Sequence, residues 1–176
     1  MLYCRILSVL MASMSISLLL MGLSTDYWKV SFGPGGTSHS GLWQYCINPG
    51  LIQSQCFAVQ DAFGYIIATR VFLIMASLVA LALHVFLVAT FMPSMCGILG
   101  KPLIASVAAY VAGLFTLIAL AVYTAETWKE KTSPQLQVSF AWSFYSGWIT
   151  FPLFLLAGIF NHVASSNAPS AAYERI

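Results

Sequence analysis

Charge is what this chain has least of. Asp, Glu, Lys and Arg make up only 7% of its residues, against about a quarter in soluble globular proteins. With 60% of the residues apolar, too few polar side chains remain to cover a water-facing exterior. The net charge of +2 contains no Lys/Arg cluster, so nothing tracks a phosphate backbone and nucleic acid is excluded as a partner. Reaction chemistry is equally scarce. His39 stands between Ser38 and Ser40, as in a turn, with no acidic neighbour to complete a triad. Asp26, Asp61, Glu126 and Glu130 have no His or Cys around them at metal-ligand spacing. The expectation is a protein without catalytic residues, metal or cofactor. No Asn-x-Ser/Thr sequon occurs, so glycosylation cannot mark a face.

What the chain has instead is long apolar runs. Ile6–Leu23, Val71–Phe91, Leu103–Tyr123 and Phe140–Phe160 each approach or exceed the ~20 residues that cross ~30 Å of hydrocarbon as a helix. Backbone groups in lipid must be satisfied internally, which favours a helical bundle. The first run could alternatively be a cleaved signal peptide, with Gly22 and Ser24 at the cleavage site. Its apolar core exceeds the roughly 7–15 residues of such a segment, and Asp26-Tyr27-Trp28 after it suits a membrane edge. The span is therefore preferred. The predicted fold class is an all-α membrane protein, a four-helix transmembrane bundle with a small extracellular or lumenal β-sheet. It forms one domain over 1–160, with spans at about 6–23, 71–91, 103–123 and 140–160 and an outer loop over 24–70. A tail over 161–176, rich in Ser, Ala and Asn, is expected to be disordered and cytosolic.

Lys29, Arg70, Lys129 and Lys131 on the long-loop side balance Arg5, Lys101 and Arg175 on the other, so the positive-inside rule does not choose an orientation. The cysteines are more informative. Cys46 and Cys56 share the long loop and flank Asn48-Pro49-Gly50, a turn signal. That placement predicts a disulfide on the oxidising side of a membrane; two free thiols in an unstructured loop are the alternative. Cys4 and Cys96 lie at membrane edges on the opposite side, where reduced or palmitoylated thiols are expected. Tyr27, Trp28, Tyr123, Trp128, Trp142, Tyr145 and Trp148 crowd the long-loop face as an interfacial belt. Both termini are accordingly placed in the cytosol. In the loop, Tyr27–Phe32 alternates and predicts a strand with Trp28, Val30 and Phe32 on one face. Gly41–Cys46 and Cys56–Val59 are the second and third candidate strands.

Trp28, then Gly41-Leu42-Trp43, then Cys46 and Cys56 resemble the signature of the superfamily of claudins, peripheral myelin protein and the lens fibre membrane intrinsic protein. Span number and loop order extend the resemblance over nearly the whole chain. Leu23–Trp28, Ser38–Trp43, Ala121–Thr124, Pro134–Gln137 and Trp142–Trp148 are similar to a branch found in cytolytic granules. The resemblance implies a non-enzymatic protein of granule and lysosome-related membranes and of the plasma membrane, supporting granule exocytosis in cytotoxic lymphocytes. A claudin- or lens-type junction or adhesion protein is the alternative, and an auxiliary subunit of an ion channel a third. Partners would be the lipid bilayer and other membrane proteins, engaged through the outer loop or the helix faces.

Three smaller features complete the reading. His84 falls inside the second span, where a neutral imidazole bonded to a Ser or Tyr is preferred over a proton relay. Ala105, Ala109 and Gly113 form a small-residue stripe suited to close packing within the bundle. In the tail, Tyr173 and Ile176 have the spacing read by endocytic and lysosomal sorting adaptors; capture of the terminal carboxylate by a PDZ-type domain is the rival.

Overall fold

The computed structural model describes residues 2–34, 36–50, 53–60, 63–91, 102–131 and 137–166. Four helices, α1 (Leu2–Ser24), α2 (Gly64–Ala89), α3 (Pro102–Lys131) and α4 (Trp142–Ser166), are each long and apolar enough to cross a membrane. Between α1 and α2 run β1 (Lys29–Gly33), β2 (Gly36–Ser40), β3 (Gln44–Asn48) and β4 (Gln55–Ala58). A fifth strand, β5 (Gln137–Phe140), precedes α4. The sheet is antiparallel in the order β4-β3-β2-β1-β5.

The helices form because almost every position is apolar and several of the hydroxyls bond within their own helix. Ser13, Ser15, Ser17, Thr69, Ser77, Thr116 and Thr124 each donate to the carbonyl four residues earlier, at 2.6–2.9 Å. A hydroxyl bonded this way can sit in hydrocarbon without an orphan proton. Pro102 opens α3, where a missing N–H removes no intrahelical bond. α4 contains Pro152, exposed on the lipid side. Its ring removes the bond that the Trp148 carbonyl would accept.

α1 packs on α4, α4 on α3 and α3 on α2, with α2 closing on α1 along the thinnest seam. Small residues let α3 and α4 approach each other. A Cβ on Gly158 would strike the Tyr110 ring at 2.5 Å, one on Gly147 would meet Leu120 at 3.0 Å, and one on Gly113 would meet Phe154 at 3.3 Å. The stripe Ala105, Ala109, Gly113 is thus buried inside the bundle. Two apolar clusters result, one around Leu83, Leu87, Ala105, Ala109 and Ala157. The other, around Trp28, Leu42, Leu73, Leu120, Tyr123 and Phe154, includes residues of the outer segment.

Several boundaries differ from the sequence reading. α2 starts at Gly64, so the outer loop ends there and Arg70 lies inside the helix instead of in the loop. α3 continues to Lys131 and carries Glu126, Lys129, Glu130 and Lys131 as helical residues. α4 begins at Trp142 and runs to Ser166, so the first part of the expected tail is helical. Hydropathy alone stops a helix at the first charge; here charged side chains find partners and the backbone continues. In the sheet, Gly41-Leu42-Trp43 leaves the ladder and the strand is Gln44–Asn48. β2 and β5 were not foreseen. Trp28 precedes β1, so its inward direction is not tied to the pleat. Phe32 on the nominally inward face is 48% exposed while Ser31 is buried. Trp28 and Tyr123 belong to the core rather than the interfacial belt, at 1% exposure each, whereas Tyr27, Trp128, Trp142 and Tyr145 remain exposed.

Candidate functional site: the outer sheet and its anchor

Cys46 and Cys56 face each other across β3 and β4 and form a disulfide with sequence separation 10. A closed loop of this length stabilises by about 2–4 kcal/mol, chiefly by restricting the unfolded chain. The turn beyond β3 uses Gly50 at φ 79, with its N–H bonded to Asn48 Oδ1 at 3.2 Å. β1 and β2 join at a tight hairpin in which Gly36 has φ 116, and a Cβ there would collide with the Asn48 backbone. Glycine is required at that position on both counts.

The remaining motif residues hold this sheet on the bundle. Trp28 Nε1 donates to the Gly22 carbonyl at 2.7 Å, so the indole plugs the outer end of α1 with its polar atom satisfied. Its ring meets Tyr123 edge-on, centroids 4.8 Å apart. Leu42 is fully buried in the same cluster. Gly41 abuts the backbone of Thr25 and Asp26, and any side chain there would overlap it. Trp43 Nε1 donates to the Leu23 carbonyl at 2.7 Å. Arg70 completes the unit: Nε at 2.9 Å and Nη2 at 2.5 Å both donate to the Leu42 carbonyl. Its guanidinium also lies 4.6 Å from the Trp43 ring centroid. The tryptophans, the glycine and the leucine are therefore an anchor, and what it can do chemically is hold a fixed surface above the membrane.

A second tether joins β1 to α2 and α3. Lys29 Nζ on β1 lies 2.5 Å from Glu130 Oε2 on α3, and the Tyr65 hydroxyl on α2 donates to Glu130 Oε1 at 3.0 Å. β5 adds a covalent route, because Phe140 leads into α4 and the Ala141 N–H donates to the Trp28 carbonyl at 3.0 Å. Tyr27 stacks on His39, ring centroids 4.3 Å apart.

The sequence reading used Lys29 and Arg70 only as charges in the orientation count and Glu130 only as a carboxylate without metal-ligand neighbours, and gave Tyr65 no role. Asn161 was also missed: it is 2% exposed, and its Nδ2 donates to Ser8 Oγ at 2.6 Å and to the Ala157 carbonyl at 3.0 Å, joining α4 to α1. His84 Nδ1 lies 3.4 Å from Ser13 Oγ. The Ser13 proton goes to the Val9 carbonyl at 2.7 Å, which makes the imidazole the donor in that weak contact. Cys4 is a free, half-buried thiol. Cys96, Asp61, Tyr173 and Ile176 lie outside the described residues. Among the described residues no group of three or more His, Cys, Asp or Glu could hold a metal ion.

The model of the PMP-22/EMP/MP20/Claudin family matches residues 1–161. Protein NKG7 of Homo sapiens is 38% identical, covering 98% of this chain and 98% of that protein. The lens fiber membrane intrinsic protein of Rattus norvegicus is 32% identical over 81% of this chain and 80% of its own. Claudin domain-containing protein 2 of Mus musculus is 30% identical over 82% of this chain and 77% of its own.

Proposed function

The chain belongs to the PMP-22/EMP/MP20/Claudin family, and from that premise we propose that it is a non-enzymatic organiser of cytolytic-granule and lysosome-related membranes, supporting granule exocytosis in cytotoxic lymphocytes. The observation that carries this reading is the full-length likeness to Protein NKG7, with 98% of both chains covered. The structure supports a scaffolding role through what it builds: a sheet fixed to a bundle by the indole hydrogen bonds of buried Trp28 and of Trp43. In this reading both termini face the cytosol and the disulfide faces the granule lumen. The plasma membrane receives the protein when granules fuse. Partners are other membrane proteins, met through the sheet or the helix faces.

Tyr173 and Ile176 direct sorting in this proposal, by adaptor binding to the cytosolic tail. The rival PDZ-type capture of the Ile176 carboxylate predicts sensitivity to one added C-terminal residue and indifference to Tyr173→Ala. Cys4 and Cys96 are the proposed palmitoylation positions. The test is a tagged protein in cytotoxic lymphocytes. Tags at either end should stain only after permeabilisation, the protein should sit on granules, and its removal should lower granule release on stimulation. Staining of a terminal tag on intact cells would overturn the orientation, and unchanged release in its absence would overturn the function. An adhesion role is the second reading, favoured by the 32% identity to the lens fiber protein. It predicts that expression in non-adherent cells makes them aggregate through the outer sheet.

A further inference from the structure

Beneath the sheet lies a cleft of about 740 Å³, walled by β1–β4 on one side and by the outer ends of α2 and α3 on the other. Its height relative to the bilayer follows from helix geometry. Counting ~20 residues from Leu103 along α3 reaches Tyr123, and ~20 back from Ala89 along α2 reaches Thr69, the outer limits of ~30 Å of hydrocarbon. Tyr123, Tyr65 and Ile66 line the cleft, so its floor stands at the hydrocarbon boundary and its body in the headgroup layer.

The lining has two chemistries. Aromatic rings come from both sides: Tyr45 and Phe57 stack at 5.4 Å across β3 and β4, and Phe63 stacks on Tyr65 at 6.0 Å at the start of α2. On the same sheet face, toward β1 and β2, lie Ser31, Ser38 and Lys29. Lys29 uses one N–H on Glu130, and an ammonium carries three. The charges of Lys29 and Glu130 cancel, so neither a net anion nor a net cation is favoured. Aromatic faces attract a quaternary ammonium, and hydroxyls with an ammonium suit a phosphate. A ligand with both charges and no net charge matches that division.

We propose that this cleft binds the phosphocholine headgroup of an outer- or lumenal-leaflet lipid of the protein's own membrane, its trimethylammonium on the Tyr45–Phe57 and Phe63–Tyr65 rings and its phosphate toward Lys29, Ser31 and Ser38. The site would fix annular lipid beneath the sheet and couple the sheet's position to lipid composition. It is independent of the granule reading, since it requires only the cleft and a bilayer.

The experiment uses the full chain in nanodiscs with equal amounts of chain-matched phosphatidylcholine, phosphatidylethanolamine and phosphatidylglycerol, followed by native mass spectrometry of the lipid retained. Phosphatidylcholine should be retained about three- to tenfold over phosphatidylethanolamine, which differs by its N-methyl groups. Phe57→Leu and Tyr45→Leu, at positions 43% and 38% exposed in the wild type, keep apolar bulk and remove the ring face. Each should bring that ratio toward one while the protein still unfolds cooperatively, with thermal unfolding lowered only by the few degrees that the lost ring stack accounts for. Equal retention of the three lipids, a preference for phosphatidylglycerol, or enrichment that survives both variants would overturn the proposal. The wild-type competition decides the matter even if a variant folds poorly.

Discussion

Replacing the half-buried Arg70 with Met should loosen the outer sheet's attachment to the bundle. The variant keeps the aliphatic stem, which continues to cover its neighbours, and removes only the guanidinium. Two N–H groups then leave the Leu42 carbonyl, in a residue with no solvent exposure. Hydrogen bonds from a charged donor contribute about 1.5–3 kcal/mol, and the ring contact with Trp43 at 4.6 Å about 0.5–1 kcal/mol more. The expected loss is about 2–4 kcal/mol. At roughly 2–4 °C per kcal/mol for a domain of this size, Tm in detergent should fall by about 4–16 °C. Arg70→Lys should recover only part, because an ammonium cannot reproduce the planar fork. A cycle with Trp43→Leu should give a coupling of about 0.5–1 kcal/mol. An Arg70→Met protein whose Tm lies within about 1 °C of wild type would refute the anchor as described.

Alkylation without reductant should leave Cys46 and Cys56 unlabelled while Cys4 reacts once the membrane is opened; labelling of the pair in folded protein would remove the disulfide from the account. Cys46→Ser should lower steady-state abundance, consistent with a loss of about 2–5 kcal/mol. Gly158→Val should cost about 1–3 kcal/mol by driving Tyr110 out of its rotamer against α4, read as earlier thermal unfolding; wild-type stability would show that α3 and α4 have slack there. Asn161→Leu should weaken the α1–α4 seam by about 1–2 kcal/mol by removing the amide bond to Ser8 Oγ; Ser8 still donates to the Ala157 carbonyl, so Ser8→Ala added to the same chain should cost more stability and not restore it.

How much of this was legible in the sequence depends on whether the cause is local. The four spans were, because hydrocarbon demands long apolar runs and little else satisfies it. Cys46 and Cys56 were, because a turn signal between two cysteines is a local pattern. β2 was not: Gly36-Thr37-Ser38-His39-Ser40 has no apolar alternation, and it is a strand because β1 and β3 offer it hydrogen bonds on both edges. β5 pairs with β1 from the far side of two helices, a distance no local signal crosses. The helical extensions through Arg70 and Glu130 follow the same logic, since each charge is accommodated by a partner distant in sequence. Within the anchor, Trp28, Gly41, Leu42 and Trp43 were visible as a motif, yet their direction into the bundle was not, because the chain leaves the ladder there.

The central claim is that the outer segment is a five-stranded sheet fixed to the bundle. Hydrogen–deuterium exchange on the full chain in nanodiscs tests it most directly. The Trp28 and Ala141 amides, bonded to the Ser40 and Trp28 carbonyls at 3.0 Å each, and those of β1, β2 and β5 should be protected by several orders of magnitude, exchanging only when the sheet opens. Peptides covering 28–40 and 137–141 that exchange at the rate of an unstructured chain, while the helices stay protected, would contradict it.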